Sequence, residues 1–212
     1  MIQKPGDHSS LRILIICPTC EPAWIYGGVI ASNSTLAKEL VRMGNEVTVY
    51  TTNANGHKSK LDVPLGEPVN RDGVDIYYFS STLPTYVPFY SHGLSKKLRA
   101  TITQYDLVYV VALWQWIGIE TIQLCRKHKI PCVVAVKGGF SEVLRKKSNL
   151  KKNIFFHGFL KPAMQDWAIL HLTNEHEKLC AGHWIGEQPL LYSPNAVDPN
   201  VFTYSKENGL RF

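Results

Sequence analysis

Apolar and polar positions along this 212-residue chain switch between two periods. Residues 12–17 hold an apolar run, Ile13-Leu14-Ile15-Ile16-Cys17, of the kind parallel strands show when both of their faces are buried. A turn-rich stretch leads from Pro18 to Gly28, and helical spacing takes over across 29–43. There Ile30, Ala37 and Val41 share one face, with Leu36 and Leu40 beside them at a four-residue step. Gly44 is placed to end that helix as a left-handed C′ residue, and 47–51 reads as the next strand. Strand, helix and strand within about 40 residues make a βαβ unit.

The alternation recurs downstream. It predicts strands at 76–79, 107–113, 132–136, 168–172 and 190–192, with helices at 91–104, 117–128 and 175–181 between them. The helix at 91–104 has a basic outer face. Repeated βα units of this kind predict a Rossmann-like, doubly wound parallel sheet covered on both faces. The segment 53–88 breaks the pattern, and Pro64, Pro68, Pro84 and Pro88 mark it as a long surface excursion.

Composition narrows the class. With 45% hydrophobic and 19% charged residues the chain reads as one globular domain, which excludes a disordered protein. A net charge of +6 and a pI near 9.0 permit anionic partners without selecting one, and nucleic acid is not expected among them. No apolar run reaches the ~18–20 residues of a membrane span. The run at 11–17 is too short for one and lacks a small-residue cleavage site, so a signal peptide is not expected. Five scattered cysteines (Cys17, Cys20, Cys125, Cys132 and Cys180) read as reduced thiols of a cytoplasmic protein.

Three local patterns carry possible chemistry. Tyr26-Gly27-Gly28-Val29 lies where the first loop enters the first helix, where glycines let a phosphate approach the backbone and free N–H groups favour an anion. It is neither the dinucleotide fingerprint nor a Walker A loop, and taken alone it is equally a plain tight turn. Cys17-Pro18-Thr19-Cys20 has redox-motif spacing, but the helix begins only near Val29 and a second cysteine pair for zinc is missing. A thiol redox protein is thus a minor alternative. In Thr173-Asn174-Glu175-His176-Glu177, Asn174 reads as a helix cap and Glu177 as its capping-box partner.

Taken together, the blocks resemble the amino-terminal domain of family 4 glycosyltransferases. They run from Arg12 to Thr52 with Gly27-Gly28 and Met43-Gly44-Asn45-Glu46-Val47-Thr48-Val49, then Tyr105-Asp106-Leu107-Val108 and Ala112-Leu113-Trp114. Ile130-Pro131, Lys137-Gly138-Gly139, Leu172-Thr173-Asn174-Glu175-His176-Glu177 and Pro194-Asn195-Ala196-Val197-Asp198 complete the series. The resemblance implies one half of a retaining GT-B enzyme, in which two Rossmann-like domains face each other across a cleft. The amino-terminal domain mainly holds the acceptor and the carboxyl-terminal one mainly the sugar nucleotide. It therefore implies a UDP- or GDP-sugar as co-substrate, a glycan or lipid-linked acceptor, no tightly bound cofactor and no metal.

The same resemblance assigns residues. Gly27 and Gly28 face the donor diphosphate, and Tyr26, Trp114, Trp116, Lys137, Gly138, Glu142 and Arg145 are acceptor-side candidates. Trp114 and Trp116 stack on a sugar or pack in the core; Glu142 and Arg145 line the pocket or are solvated. Lys137 stands where many relatives have arginine, keeping the charge without the bidentate fork. Val111 stands where the family often has a histidine, so no residue is assigned as catalytic. The basic run Arg145–Lys152, followed by Ile154, Phe155, Phe156, Phe159 and Leu160, reads as a peripheral membrane contact or as a solvated helix start.

Residues 1–194 are expected to form the acceptor-side domain and 195–212 a hinge leading toward a donor domain that the chain lacks. Polysaccharide biosynthesis in the cytoplasm, or peripherally at the inner membrane face, is the implied setting. A separate chain could supply the donor half. The alternative is a catalytically silent binding module or decayed remnant.

Overall fold

In the computed structural model, residues 9–57, 59–82, 90–140 and 149–196 are described. The strands are β1 (Arg12–Ile16), β2 (Glu46–Thr52), β3 (Ala54–Asn55), β4 (Ser59–Lys60), β5 (Pro68–Arg71), β6 (Val74–Phe79), β7 (Leu107–Val110), β8 (Cys132–Ala135), β9 (Ala168–Leu172) and β10 (Leu190–Tyr192). Eight of them form one sheet in the order β10-β9-β8-β7-β1-β2-β6-β5. All of its pairings are parallel except β5 with β6. The doubly wound parallel sheet is thus present. The chain leaves β1 toward β2 on one side and later returns to β7 on the other. The topological switch point, where such sheets bind ligands, therefore lies at the carboxyl ends of β1 and β7.

The helices are α1 (Gly28–Arg42), α2 (His92–Thr101), α3 (Trp116–His128), α4 (Asn149–Phe155), α5 (Lys161–Met164) and α6 (Glu175–Ile185), with a π-helical turn (Phe156–Leu160) joining α4 to α5. Alternation along each strand divides the core in two. Leu14, Ile16, Val108, Val110 and Val134 point to one face with Leu98, Ile122, Leu160 and Trp184, under α2, α3, the 149–164 stretch and α6. Ile13, Ile15, Val47, Val49 and Ile76 point to the other, under α1. Among the described residues Leu14, Ile16, Leu98, Ile122 and Val134 are fully buried; each such side chain contributes about 1.5–3 kcal/mol.

Several expectations change in detail. Helix α1 ends as expected: Gly44, at φ 92°, donates to Val41 O, and Asn45 donates to Leu40 O, a Schellman closure. Its buried stripe holds the predicted Ile30 and Ala37, joined by Ser32, Asn33 and Ser34, while the predicted Val41 is only half-buried, as are Leu36 and Leu40. Both Asn33 amide atoms and Ser34 Oγ are buried without a hydrogen-bond partner among the described residues. They line a water-sized cavity of about 10 Å³ beside Glu21.

The predicted strand over 107–113 stops at Val110, because Val111–Gln115 forms the loop into α3. Gly118 fits that loop, since a Cβ there would stand 2.2 Å from Ala112 O. The 53–88 excursion is not unstructured throughout. It holds the β3–β4 hairpin and the antiparallel edge strand β5, which begins on a proline, a residue an edge strand tolerates.

Candidate functional site

The site is built at the carboxyl ends of the parallel strands. After β1 the chain makes a loop and a short 3₁₀ turn (Trp24–Tyr26), then enters α1 through Gly27. Gly27 adopts φ 69° and ψ −142°, a conformation that a side chain would strain. Among the described residues no side chain caps α1, and no acidic residue lies in its first turn. A Cβ on Gly27 or Gly28 would meet nothing within 4 Å, so the helix end faces open space. Its N–H groups and partial positive charge point the same way, as an anion site requires. Around this turn Trp24, Ile25 and Val29 are 55%, 69% and 43% exposed, an apolar rim that the sequence pattern did not single out. Tyr26 is held from behind, its hydroxyl accepting from Gly56 N at 2.8 Å across to the β3–β4 hairpin.

Lys137 closes the other side. It follows β8 in the left-handed region at φ 42°, and Gly138 continues at φ 74°. The Lys137 ammonium donates to Ser32 Oγ at 3.0 Å on α1 and to Asn195 Oδ1 at 2.9 Å on the segment that leaves β10. One side chain thus ties together the first helix, the β8 loop and the exit segment. Burial of the ammonium pulls its pKa down to about 8, against the opposing pull of Glu177 and Cys17. It is therefore a lysine that titrates in the physiological range.

Glu177, read from the sequence as the capping-box partner of Asn174, does something wider. Asn174 does cap α6, its side chain accepting from Glu177 N at 2.9 Å. The Glu177 carboxylate, however, accepts from Thr173 N at 2.6 Å and from Gly138 N at 2.5 Å. The second bond crosses to a different loop, which no local sequence rule would find. Charge-assisted bonds of this length are strong, and they fix the Lys137-Gly138 turn. Beside it lies a cavity of about 210 Å³ lined by Val136, Gly138, Phe140, His176, Glu177 and Cys180.

Deeper in the floor, Tyr109 OH lies 2.6 Å from His171 Nδ1, and His171 Nε2 lies 2.8 Å from Ser193 O. A carbonyl can only accept, so Nε2 carries the hydrogen and Tyr109 donates to Nδ1. This chain also anchors the exit segment. Burial pushes the Tyr109 phenol up. Val111 lies half-buried against the α1-side core, its amide on Ile16 O.

The structure gathers only part of the predicted acceptor set. Lys137 reaches the first helix at Ser32, one turn beyond Gly28, while Gly138 is tied to Glu177. Trp114 is half-buried. Its indole donates to Gly139 O at 2.7 Å, and its ring lies among Phe140, Phe155, Phe156 and Trp184. Trp116 is 39% exposed and stacks edgewise on Phe155 and Phe159 outside the rim. Glu142 and Arg145 lie outside the described residues, as does the basic run as far as Ser148.

All five cysteines are free thiols. Cys17 and Cys20 are buried, and the hydrogen bond between them together with burial raises the Cys17 thiol, the reverse of what a redox motif needs. Among the described residues no cluster of side chains could hold a metal, and no helix is long and apolar enough to cross a membrane.

The sequence model of Glycosyltransferase Family 4 matches residues 26–201. HepE of Anabaena, solved in complex with UDP and glucose, superposes with a TM-score of 0.60 at 14% identity over 93% of this chain and 48% of that one. Sucrose-phosphate synthase of Thermosynechococcus elongatus gives 0.60 at 14% identity over 91% and 50%. This chain thus spans about half the length of these solved proteins. No curated protein matches it.

Proposed function

Because the chain belongs to glycosyltransferase family 4, we propose that it forms the acceptor-side wall of a retaining enzyme that moves a sugar from a nucleotide-sugar to a glycan or lipid-linked acceptor. Residues 1–194 are the acceptor-side domain, and 195–212 lead toward a donor domain. The donor is a UDP- or GDP-sugar, and the work is done in the cytoplasm. The observation that carries the reading is the uncapped amino end of α1, open at Gly27 and Gly28, with the Lys137 ammonium one turn along at Ser32. Helix end and ammonium are two positive elements converging on one place, which suits the diphosphate of a nucleotide-sugar. The 210 Å³ cavity on the far side of the Lys137-Gly138 turn is the candidate acceptor pocket.

Chemistry follows from what is absent at Val111. An aliphatic side chain there neither donates a hydrogen bond nor takes a proton, so the wall positions substrates without acid–base work at that strand end. The purified chain is accordingly expected to turn over no sugar nucleotide alone, while its Gly27, Gly28, Val29 and Ser32 amide resonances shift on titration with UDP-glucose or pyrophosphate. Turnover by the isolated chain would overturn the division of labour. Silence of those resonances, or shifts confined elsewhere, would favour the silent-module alternative.

A further inference from the structure

The sheet face opposite α1 carries a second feature that sugar transfer does not explain. On its outer surface Leu150 and Ile154, one helical turn apart on α4, are 74% and 58% exposed, and Phe159 and Trp116 are 45% and 39% exposed. The rings form a continuous plateau: Trp116 lies 5.1 Å from Phe155 and 4.9 Å from Phe159 between centroids. A contiguous apolar patch in water marks a contact surface. Its surroundings are basic. Across 92–101, 116–129 and 149–164 the chain has nine lysine and arginine residues against a single carboxylate, Glu120. That carboxylate is already engaged by Arg99 at 2.6 Å and Ser95 at 2.7 Å. The rest of the chain carries 14 of the 23 basic residues and 16 of the 17 acidic ones, so the positive balance belongs to this face.

We propose that this face docks on an anionic phospholipid surface, with Leu150, Ile154, Phe159 and Trp116 entering the headgroup layer and the surrounding lysines meeting lipid phosphates. Aromatic and aliphatic side chains amid basic residues are the composition of an interfacial anchor. Anionic headgroups reward each nearby lysine or arginine. Leu150 and Ile154 would find no partner on a nucleic acid. A protein interface ordinarily mixes both charge signs, whereas the three stretches around the plateau hold nine basic residues and one carboxylate, the further carboxylates of this face, Glu175 and Glu177, lying on α6. Trp116 opens α3 directly after the loop that carries Trp114, so the plateau adjoins the carboxyl end of the sheet. The inference rests on the transferase reading only in pointing to lipid-linked acceptors; vesicle binding itself needs no sugar transfer, and the two can fail separately.

The test is co-sedimentation of the full chain with vesicles of phosphatidylcholine alone and with one-third phosphatidylglycerol, at two salt concentrations. Expected is binding to the anionic vesicles that weakens with salt. The double variant Ile154→Ser/Phe159→Ser, at exposed positions, is expected to keep its fold by circular dichroism and lose vesicle binding. Lys127→Ala/Lys161→Ala is expected to bind about thirtyfold more weakly. No binding to anionic vesicles would overturn the proposal, as would equal binding to both compositions, or retention of binding by the apolar variant. Binding to an oligonucleotide in preference to vesicles would overturn it too.

Discussion

Replacing each glycine of the α1 entry with alanine separates what the fold needs from what a ligand needs. Gly27 sits at φ 69° and ψ −142°, and an alanine there meets no neighbour, so its whole cost is backbone strain. That cost is about 1–3 kcal/mol, a fall of several degrees in melting temperature. Gly28 is the first residue of α1, outside the left-handed region, and its added methyl likewise meets nothing within 4 Å. Alanine restricts the unfolded chain and is expected to stabilise by about 0.4–1 kcal/mol, or about 1–4 °C in a protein of this size. The same methyl would stand in the space through which a phosphate reaches the helix end. Gly28→Ala is therefore expected to melt at or above the parent temperature yet lose the UDP-glucose response of the Val29 and Ser32 amides. Thermal melts by circular dichroism and an amide-resonance titration read the two effects independently. A Gly28→Ala protein that is destabilised by more than about 1 kcal/mol would make this glycine a requirement of the fold. An undiminished UDP-glucose response would remove the phosphate from the α1 entry altogether.

Lys137, with its pKa pulled down to about 8, should attract an anionic ligand below that pH and release it as pH rises through it; the ¹³C-methylated Lys137 resonance, assigned by its loss in Lys137→Arg, would titrate near 8. The stability sign runs with it: between about 8 and the ordinary lysine value the unfolded chain holds a proton that the folded chain has lost, so Lys137 makes stability rise with pH across that window. Glu177→Gln keeps one acceptor for the Gly138 and Thr173 amides and presents an NH₂ to the other. A loss of about 1.5–3 kcal/mol in urea unfolding is expected, together with a further fall in the Lys137 pKa as the compensating charge goes. Gly118→Ala places a methyl 2.2 Å from Ala112 O and should cost about 1–3 kcal/mol or more in the same assay; an unchanged midpoint would mean that the loop after β7 yields freely.

Most of the architecture was legible because buried parallel strands advertise themselves. The runs at Ile13–Ile16, Val108–Val110 and Val133–Ala135 are apolar on both faces. Strand β5 escaped because it pairs on one side only: with alternate residues exposed and a proline at its start, Pro68-Val69-Asn70-Arg71 looks like loop. The orientation of α1 was legible from Ile30 and Ala37, but the polar share of its buried face was not: Asn33 and Ser34 lie between them in the helical period, and hydropathy alone gives such residues no place against a sheet. At the site, Gly27 and Gly28 could be named from sequence by their place at the entry of the first helix, and Lys137 from the family resemblance. Glu177's bond to Gly138 spans 39 residues and Lys137's bond to Ser32 spans 105, and such pairings exist only once the sheet is assembled.

These long-range bonds also give physical sense to lysine, rather than arginine, at position 137. A guanidinium would stay charged at any accessible pH, whereas an ammonium can be deprotonated by burial. Here burial does most of that work, and Glu177 limits it by holding a negative charge nearby. Glu177 can do so without closing on Lys137 because both of its oxygens are occupied by backbone N–H groups of Thr173 and Gly138. The ammonium is left to bridge Ser32 and Asn195, two neutral oxygens that an incoming phosphate would outcompete for a charged donor. Asn195 lies on the segment that leaves the domain, beside the Ser193 carbonyl already fixed by His171. An anion arriving at Lys137 would therefore draw the lysine off Asn195 while His171 still held Ser193, so the exit segment would loosen at one contact and keep the other. Ligand occupancy at the first helix would then bear on the exit segment through a single side chain.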